Sequence, residues 1–325
     1  MERSSSAIRI LIVCYCFVLQ SYKCTKKKVY LQRKQIEQMK KIILSIISLL
    51  CICTLAAAQG KVSTKKFRIK DFREKVTKIV IPKSDIRHSV LSQEVLDRWS
   101  ISAFELCNAD EFESLKTSAD YYFLLYTEGV DKYGRKDGIT YLSLVKGGPE
   151  ASKGIGAMTK VVSLPVSASG TMSSGRELAF IGVFVDIIQE YALRAIESEF
   201  DAYCGLGIFN RIHMKSDGWR KQIHISEDDM SSAFSESARK KYVNANLSIE
   251  PEDDVDKLLT TGTHNVLVSY VVAPAVISVN SKVYKMLIEP GTCQLYYFRS
   301  EKVKTTQNYG FTEKDFKRIL KLRKH

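Results

Sequence analysis

The 325-residue chain contains no HExxH, no CxxC and no G-x-S-x-G. Their absence leaves a zinc site and a serine-nucleophile elbow without sequence support. Four histidines precede the terminal one: His88, His213, His224 and His264. None stands four residues from another, so one helix face cannot offer two ligands; His213 and His224 flank the turn signal Asp217-Gly218 and read as surface histidines. The glycines at 170 and 175 have phosphate-loop spacing, but Arg176-Glu177 stand where Lys-Ser/Thr would have to follow. That stretch reads as linker, with Ser174 rather than Ser173 as a helix cap. No catalytic, cofactor-binding or metal-binding residue is assigned, and no cofactor is expected. A mean hydropathy of −0.12 excludes a multispan membrane protein, and 45% hydrophobic with 26% charged residues is the globular range.

Two apolar runs stand near the start. Ile8 to Leu19 is followed by the basic stretch Lys23 to Lys28. The second run, from Met39, has the parts of a secretory signal peptide: Lys40-Lys41, a 14-residue apolar core from Ile42 to Leu55, and Ala56-Ala57-Ala58 as a small-residue cleavage site. Met39 is therefore the expected start, residues 1–38 an upstream extension, and Gln59 the mature N-terminus; the rival is a membrane anchor built from both runs. The net charge of +13 follows from this segment, since residues 59–325 carry 39 basic and 34 acidic residues. An ordinary mixed surface on an exported chain excludes nucleic acid as the expected partner. Only Cys107, Cys204 and Cys293 remain, too few for a disulfide framework, and they read as small buried hydrophobes.

The mature chain is written twice at an offset of 143. Asn108 to Thr117 falls on Pro251 to Thr260, Phe123-Leu124-Leu125 on Val266-Leu267-Val268, Tyr141 on Tyr284 and Gly148 on Gly291. Each copy reads β-α-β-α-β-β, which predicts an α/β to α+β fold with two mixed sheets. The second copy adds a strand from Gln294 to Phe298. Residues 146–175, rich in Gly, Ser and Ala, read as loop. After them Ser174 and Glu177 form a capping box for a helix over 176–200, with Ile181, Phe184, Ile188 and Ile196 expected to be buried between the copies. The expected organisation is 59–155 for the first repeat, 156–205 for linker and central helix, and 206–325 for the second repeat with a basic C-terminal helix.

The remaining candidates have plain readings. Glu111, Glu113, Asp253 and Asp254 are helix-start acids, and Asp228-Asp229 is a further carboxylate pair. Asn246-Leu247-Ser248 is a glycosylation sequon without an expected role. Tyr121-Tyr122 and Tyr296-Tyr297 place one ring on each face of a strand, so one of each pair is available to a sugar or peptide if packing leaves it bare. Residues 311–324 hold six basic and two acidic residues along an amphipathic helix, which either docks by its apolar side or meets an anionic surface.

The runs WSISAFELCNADEFESLK (99–116), YYFLL (121–125) and LSLVKGGPEA (142–151) are similar to a family of uncharacterised secreted proteins typical of Bacteroidetes. That resemblance implies export to the periplasm or cell surface and carries no catalytic residues. In topology alone the repeat resembles the amino-terminal α/β domain of TolB-type envelope proteins. The expectation is an exported, envelope-associated binding or scaffolding protein, with an envelope protein, a glycan or an anionic surface as partner; the alternative is a periplasmic hydrolase with its site between the repeats. Intact-mass analysis after expression in a Gram-negative host should give a chain beginning at Gln59; a membrane-bound product retaining residues 1–58 contradicts this.

Overall fold

The computed structural model describes residues 64–82, 85–130, 134–307 and 309–324. Both N-terminal apolar runs and the expected cleavage site lie outside them. A short α1 (Lys65–Ile69) leads into β1 (Val76–Val80), α2 (Ile86–Arg98), β2 (Phe104–Cys107), α3 (Ala109–Leu115), β3 (Tyr121–Val130), β4 (Lys136–Lys146) and β5 (Thr159–Ala168). The long α4 (Gly175–Glu197) and short α5 (Glu199–Cys204) follow. The second half runs β6 (Gln222–Ser226), α6 (Glu236–Tyr242), β7 (Leu247–Glu250), α7 (Glu252–Thr260), β8 (Val266–Val272), β9 (Lys282–Glu289), β10 (Gln294–Lys302) and α8 (Glu313–Leu322).

The fold is α/β, with two mixed five-stranded sheets ordered β2-β1-β3-β4-β5 and β7-β6-β8-β9-β10. The first three strands of each order are parallel and the last two join antiparallel. The duplication therefore holds in topology. It is longer than the sequence indicated, because both halves own a fifth strand and a following helix. The segment read as loop contains β5, paired with β4 from Ile139↔Ala168 to Lys146↔Thr159. The Gly-, Ser- and Ala-rich stretches on either side obscured it; Pro165 within it is tolerated because β5 is an edge strand and Pro165 adjoins a register shift between Thr140 and Tyr141, two settings in which a strand tolerates a missing N–H. The offset also slips at the start. Thr77 pairs with Phe104 while Ile223 pairs with Leu247, so the first half has three more residues between its first two strands.

Sequential crossovers that first go one way from a strand and then return past it place their helices on opposite faces of the sheet. In the first half, Ile79, Tyr122 and Leu124 turn toward α2 (Leu91, Val95) and the central core, whereas Val80, Cys107 and Phe123 turn outward to Phe112 of α3. In the second half the faces are exchanged. Val268 and Tyr270 join α7 (Val255, Leu259) in the central core, and Ile223 and Leu267 turn outward to α6 and α8. The layers are thus α3, the first sheet, α2 with α4 and α7, the second sheet, then α6 with α8. Each half uses its last helix alike: α4 packs on α2, and α8 packs on α6 with Phe316 and Tyr242 stacked 5.6 Å apart. Lys285 and Asp315, both fully buried, pair at 2.7 Å and fix α8 to β9. The basic C-terminal helix is therefore docked by Phe316 and Ile319. Its Thr312 makes the full capping box with Asp315.

The central helix α4 carries the apolar stripe read from its sequence. Ile181, Phe184 and Ile188 are buried, and Ile196 is half-buried near the end. Phe184 meets the ring of Tyr270 at 5.3 Å on the second sheet. From the first half, Gln189 accepts from the Ser100 amide (2.8 Å) and donates to the Arg98 carbonyl (3.1 Å). A Cβ at Gly182 would lie 2.2 Å from a Glu94 carboxylate oxygen, so a larger residue where α2 and α4 cross would push the Glu94–Arg98 pair aside. The helix stops at Glu197 rather than at 200, because Ser198 accepts from the Asp201 amide and caps α5.

Two adjacent residues in the first turn of α4 enter different halves. Arg176 reaches the carboxyl ends of β6 and β8. There it donates to the Ser269 carbonyl (2.7 Å) and pairs with Glu252 (2.8 Å), Asp256 (3.0 Å) and Asp229 (3.3 Å). Glu177, 2% exposed, pairs at 2.8 Å with Arg87, which opens α2 directly after β1. The expected capping box is only half made: Ser174 accepts from the Glu177 amide, while the Glu177 carboxylate is held by Arg87 instead of returning to the Ser174 amide. In open α/β sheets the crevice outside the carboxyl ends of the strands is where ligands settle. Here Arg176 occupies that place in the second half, while Glu177 meets the start of α2 in the first. With one core shared by both sheets, Ile188→Asp, which puts a carboxylate among apolar groups, should cost at least about 3 kcal/mol. Both halves should then melt together at a lower temperature in calorimetry; one half melting alone at an unchanged temperature contradicts a shared core.

Candidate functional site

The two sheets diverge beyond Tyr270, whose hydroxyl donates to the Val166 carbonyl at 2.7 Å. A cleft of about 810 Å³ opens between β3–β4–β5 of the first half and β9–β10 of the second, with Tyr191 of α4, Leu206 and Lys65 of α1 also lining it. This is within the size of small-molecule sites, roughly 300–1,000 Å³. Three chemistries meet there. Tyr126, Tyr141, Tyr191, Tyr284 and Phe298 supply rings. Thr127, Ser143 and Ser163, on three neighbouring strands, form a hydroxyl chain with 2.8 and 2.7 Å links. Three hydroxyls joined by two links retain one donor for a guest. Lys65, Lys160 and Lys282 supply positive charge against Glu128 and Asp137.

Tyr141 and Tyr284, matched by the 143-residue offset, touch through their hydroxyls at 2.9 Å. Tyr141 donates to Asp137 at 2.8 Å, and an ionised carboxylate only accepts. The Tyr284 hydroxyl must therefore donate to Tyr141. Asp137 also pairs with Lys282 (3.5 Å) and Glu128 with Lys136 (2.5 Å), so both carboxylates are neutralised locally. Burial lifts the phenols of Tyr126 and Tyr141 above the ordinary range, and that of Tyr191 to about 12. The Lys65 ammonium is lowered, first by burial and then by Lys160 and Arg68.

The residues singled out from sequence do not converge. His88 contacts Asp85 at 2.7 Å, and His264 sits under Gly291; His213, read as a surface histidine, is instead buried between the Leu295 carbonyl (2.8 Å) and Glu190 (3.1 Å). His224 approaches Ser248 (3.0 Å) and Glu250 (3.1 Å), both through Nδ1, whereas a nucleophile–base–acid relay needs its partners on opposite ring nitrogens. Among the described residues no group of three His, Cys, Asp or Glu is placed to hold a metal ion. Glu111 pairs with Lys78 and Glu113 with Lys116, Asp254 with Lys257, and Asp229 with Ser269 and Arg176, while Asp253 opens α7 and Asp228 follows the Ser226 cap. Ser173 accepts from Arg87. The tyrosine pairs present no bare ring: Tyr122, Tyr296 and Tyr297 are buried, and Tyr121 is half-buried close to Lys78. Asn246 is exposed beside the buried Leu247. Cys107, Cys204 and Cys293 are free thiols, but of the three expected to be buried only Cys107 is; Cys293 is half-buried and Cys204, at the end of α5, is exposed. No helix among the described residues is long and apolar enough to cross a membrane. The cleft residues other than Tyr141 and Tyr284 carried no motif, and Ser163 and Lys160 lie on the strand that was read as loop.

No family model matches the chain, and comparison with curated proteins and with solved structures gives no match.

The raised phenols set an alkaline limit. An unfolded tyrosine ionises near pH 10, whereas Tyr126, Tyr141 and Tyr191 keep their protons beyond it. Their contribution is complete below pH 10 and falls as pH rises, by about 1.4 kcal/mol per pH unit for each. In a tyrosinate absorbance titration, exposed phenols should ionise smoothly, and these three, with the likewise raised Tyr122, Tyr270, Tyr296 and Tyr297, only as circular dichroism collapses. Complete ionisation with the dichroism intact contradicts the assignment.

Proposed function

We propose that this is an exported, envelope-associated binding protein that holds a small polar ligand in the cleft between its halves. The observation that carries the reading is the cleft lining: rings, a spare hydroxyl donor and an excess of ammonium groups, with both carboxylates neutralised. Binding sites of this kind are concave, with a few polar groups converging on apolar walls. Export is supported by the signal-like segment 39–58 and by the resemblance to secreted Bacteroidetes proteins.

Ser163→Trp, on the edge strand, fills the cleft without touching either buried ion-pair network. Cell-envelope oligosaccharides and small metabolites that raise the melting temperature of the wild type should leave this variant unchanged. Ligands that stabilise both proteins equally, or the release of cleaved product, would overturn the reading, the latter in favour of a hydrolase.

A further inference from the structure

The cleft has a charged end that the protein itself does not neutralise. Lys65 lies on α1 and Lys160 on β5, and both line the cavity. Neither forms an ion pair among the described residues. The contacts of Lys65 are the Tyr191 hydroxyl at 3.4 Å and its ring at 5.6 Å. Glu199 beside it engages the backbone amides of Lys65 and Lys66 at 3.1 Å each. The other cleft charges are matched, Asp137 by Lys282 and Glu128 by Lys136. The Lys65 ammonium is half-buried within reach of the Lys160 charge, and Glu199 offsets this only in part, so a guest that brings negative charge is favoured there.

The rest of the lining says what carries that charge. Tyr284 and Phe298 stand 5.9 Å apart on the second sheet and give a ring-lined wall. The Thr127–Ser143–Ser163 chain lies on the opposing sheet and offers one donor with its remaining lone pairs. A flat C–H face against rings, hydroxyls against a hydroxyl chain and a carboxylate against two lysines together describe one kind of molecule. Resting on the cleft reading above, we propose that the ligand is an acidic saccharide, a hexuronate-containing oligosaccharide whose carboxylate is held by Lys65 and Lys160. The lowered proton affinity of Lys65, set first by burial and then by Lys160, fits this, because an arriving carboxylate compensates both.

The test uses the secreted protein and an array of hexuronate oligosaccharides from alginate, galacturonan and glucuronate-bearing glycans, each beside its carboxyl-reduced neutral counterpart. Calorimetry should show an acidic member bound at least about tenfold more tightly than its reduced form, the range of one charge-assisted contact. Lys160→Met, at an exposed position, should weaken the acidic ligand severalfold, toward the level of the reduced one, and leave the reduced one unchanged. Equal binding of both forms through the cleft, or an unaltered acidic affinity in Lys160→Met, overturns the acidic-saccharide inference while the cleft reading stands. Binding that survives Ser163→Trp overturns both, and an array with no binder overturns the saccharide class.

Discussion

Arg176 and Glu177 are adjacent, of opposite charge, and buried in opposite directions. Each completes an ion pair that the other half of the molecule would leave open: Glu177 for Arg87 in the first half, and Arg176 for Asp229, Glu252 and Asp256 in the second. A buried ion pair gains little over apolar packing, but removing one partner costs about 3–5 kcal/mol because the other charge is stranded. The dipeptide therefore acts mainly by forbidding alternatives. It fixes the first turn of α4 in rotation and depth, and the apolar stripe from Phe180 to Ala195 then falls between the sheets. At Arg176 three carboxylates face one guanidinium. Burial, only partly offset by that guanidinium, holds the Glu252 and Asp256 carboxyls above their ordinary range, so the network tolerates no loss of its cation.

The same constraint explains the cleft. Two copies of one fold would pack alike if they met through equivalent faces. They do not, because α4 belongs to the first copy and can cover only one face of its own sheet. The second copy offers α4 its α7 face and closes its other face with α8, pinned by Lys285 and Asp315. The sheets then touch where Tyr270 meets Val166 and again where Tyr141 meets Tyr284, and the space beside these contacts becomes the cavity. The feature that resembles a ligand site thus follows from the asymmetric packing of a symmetric duplication.

Much of this was legible in the chain. The periodicity of Leu91, Val95, Phe184 and Ile188 reports burial on a helix face directly, and the tandem copies reinforced each other. The Gly-, Ser- and Ala-rich flanks hid β5, whose Pro165 is harmless at an edge next to a bulge. Opposite-face packing was also illegible, since both faces of these parallel strands are apolar and the pattern cannot say which neighbour covers which. The site left the weakest trace. Thr127, Ser143 and Ser163 are ordinary strand hydroxyls until the sheet aligns them. The acids at helix starts were legible because capping is local in sequence, whereas the buried partners of Asp229 and His213 come from distant strands.

The central claim is that one dipeptide couples both sheets. Native-state hydrogen exchange of Arg176→Met, read at β1 and β3 as well as at β6 and β8, tests it most directly. The coupled account predicts that protection falls together in all four strands, although Arg176 contacts only the second half. Loss confined to β6 and β8, with β1 and β3 protected as in the wild type, would show two independent domains and contradict it.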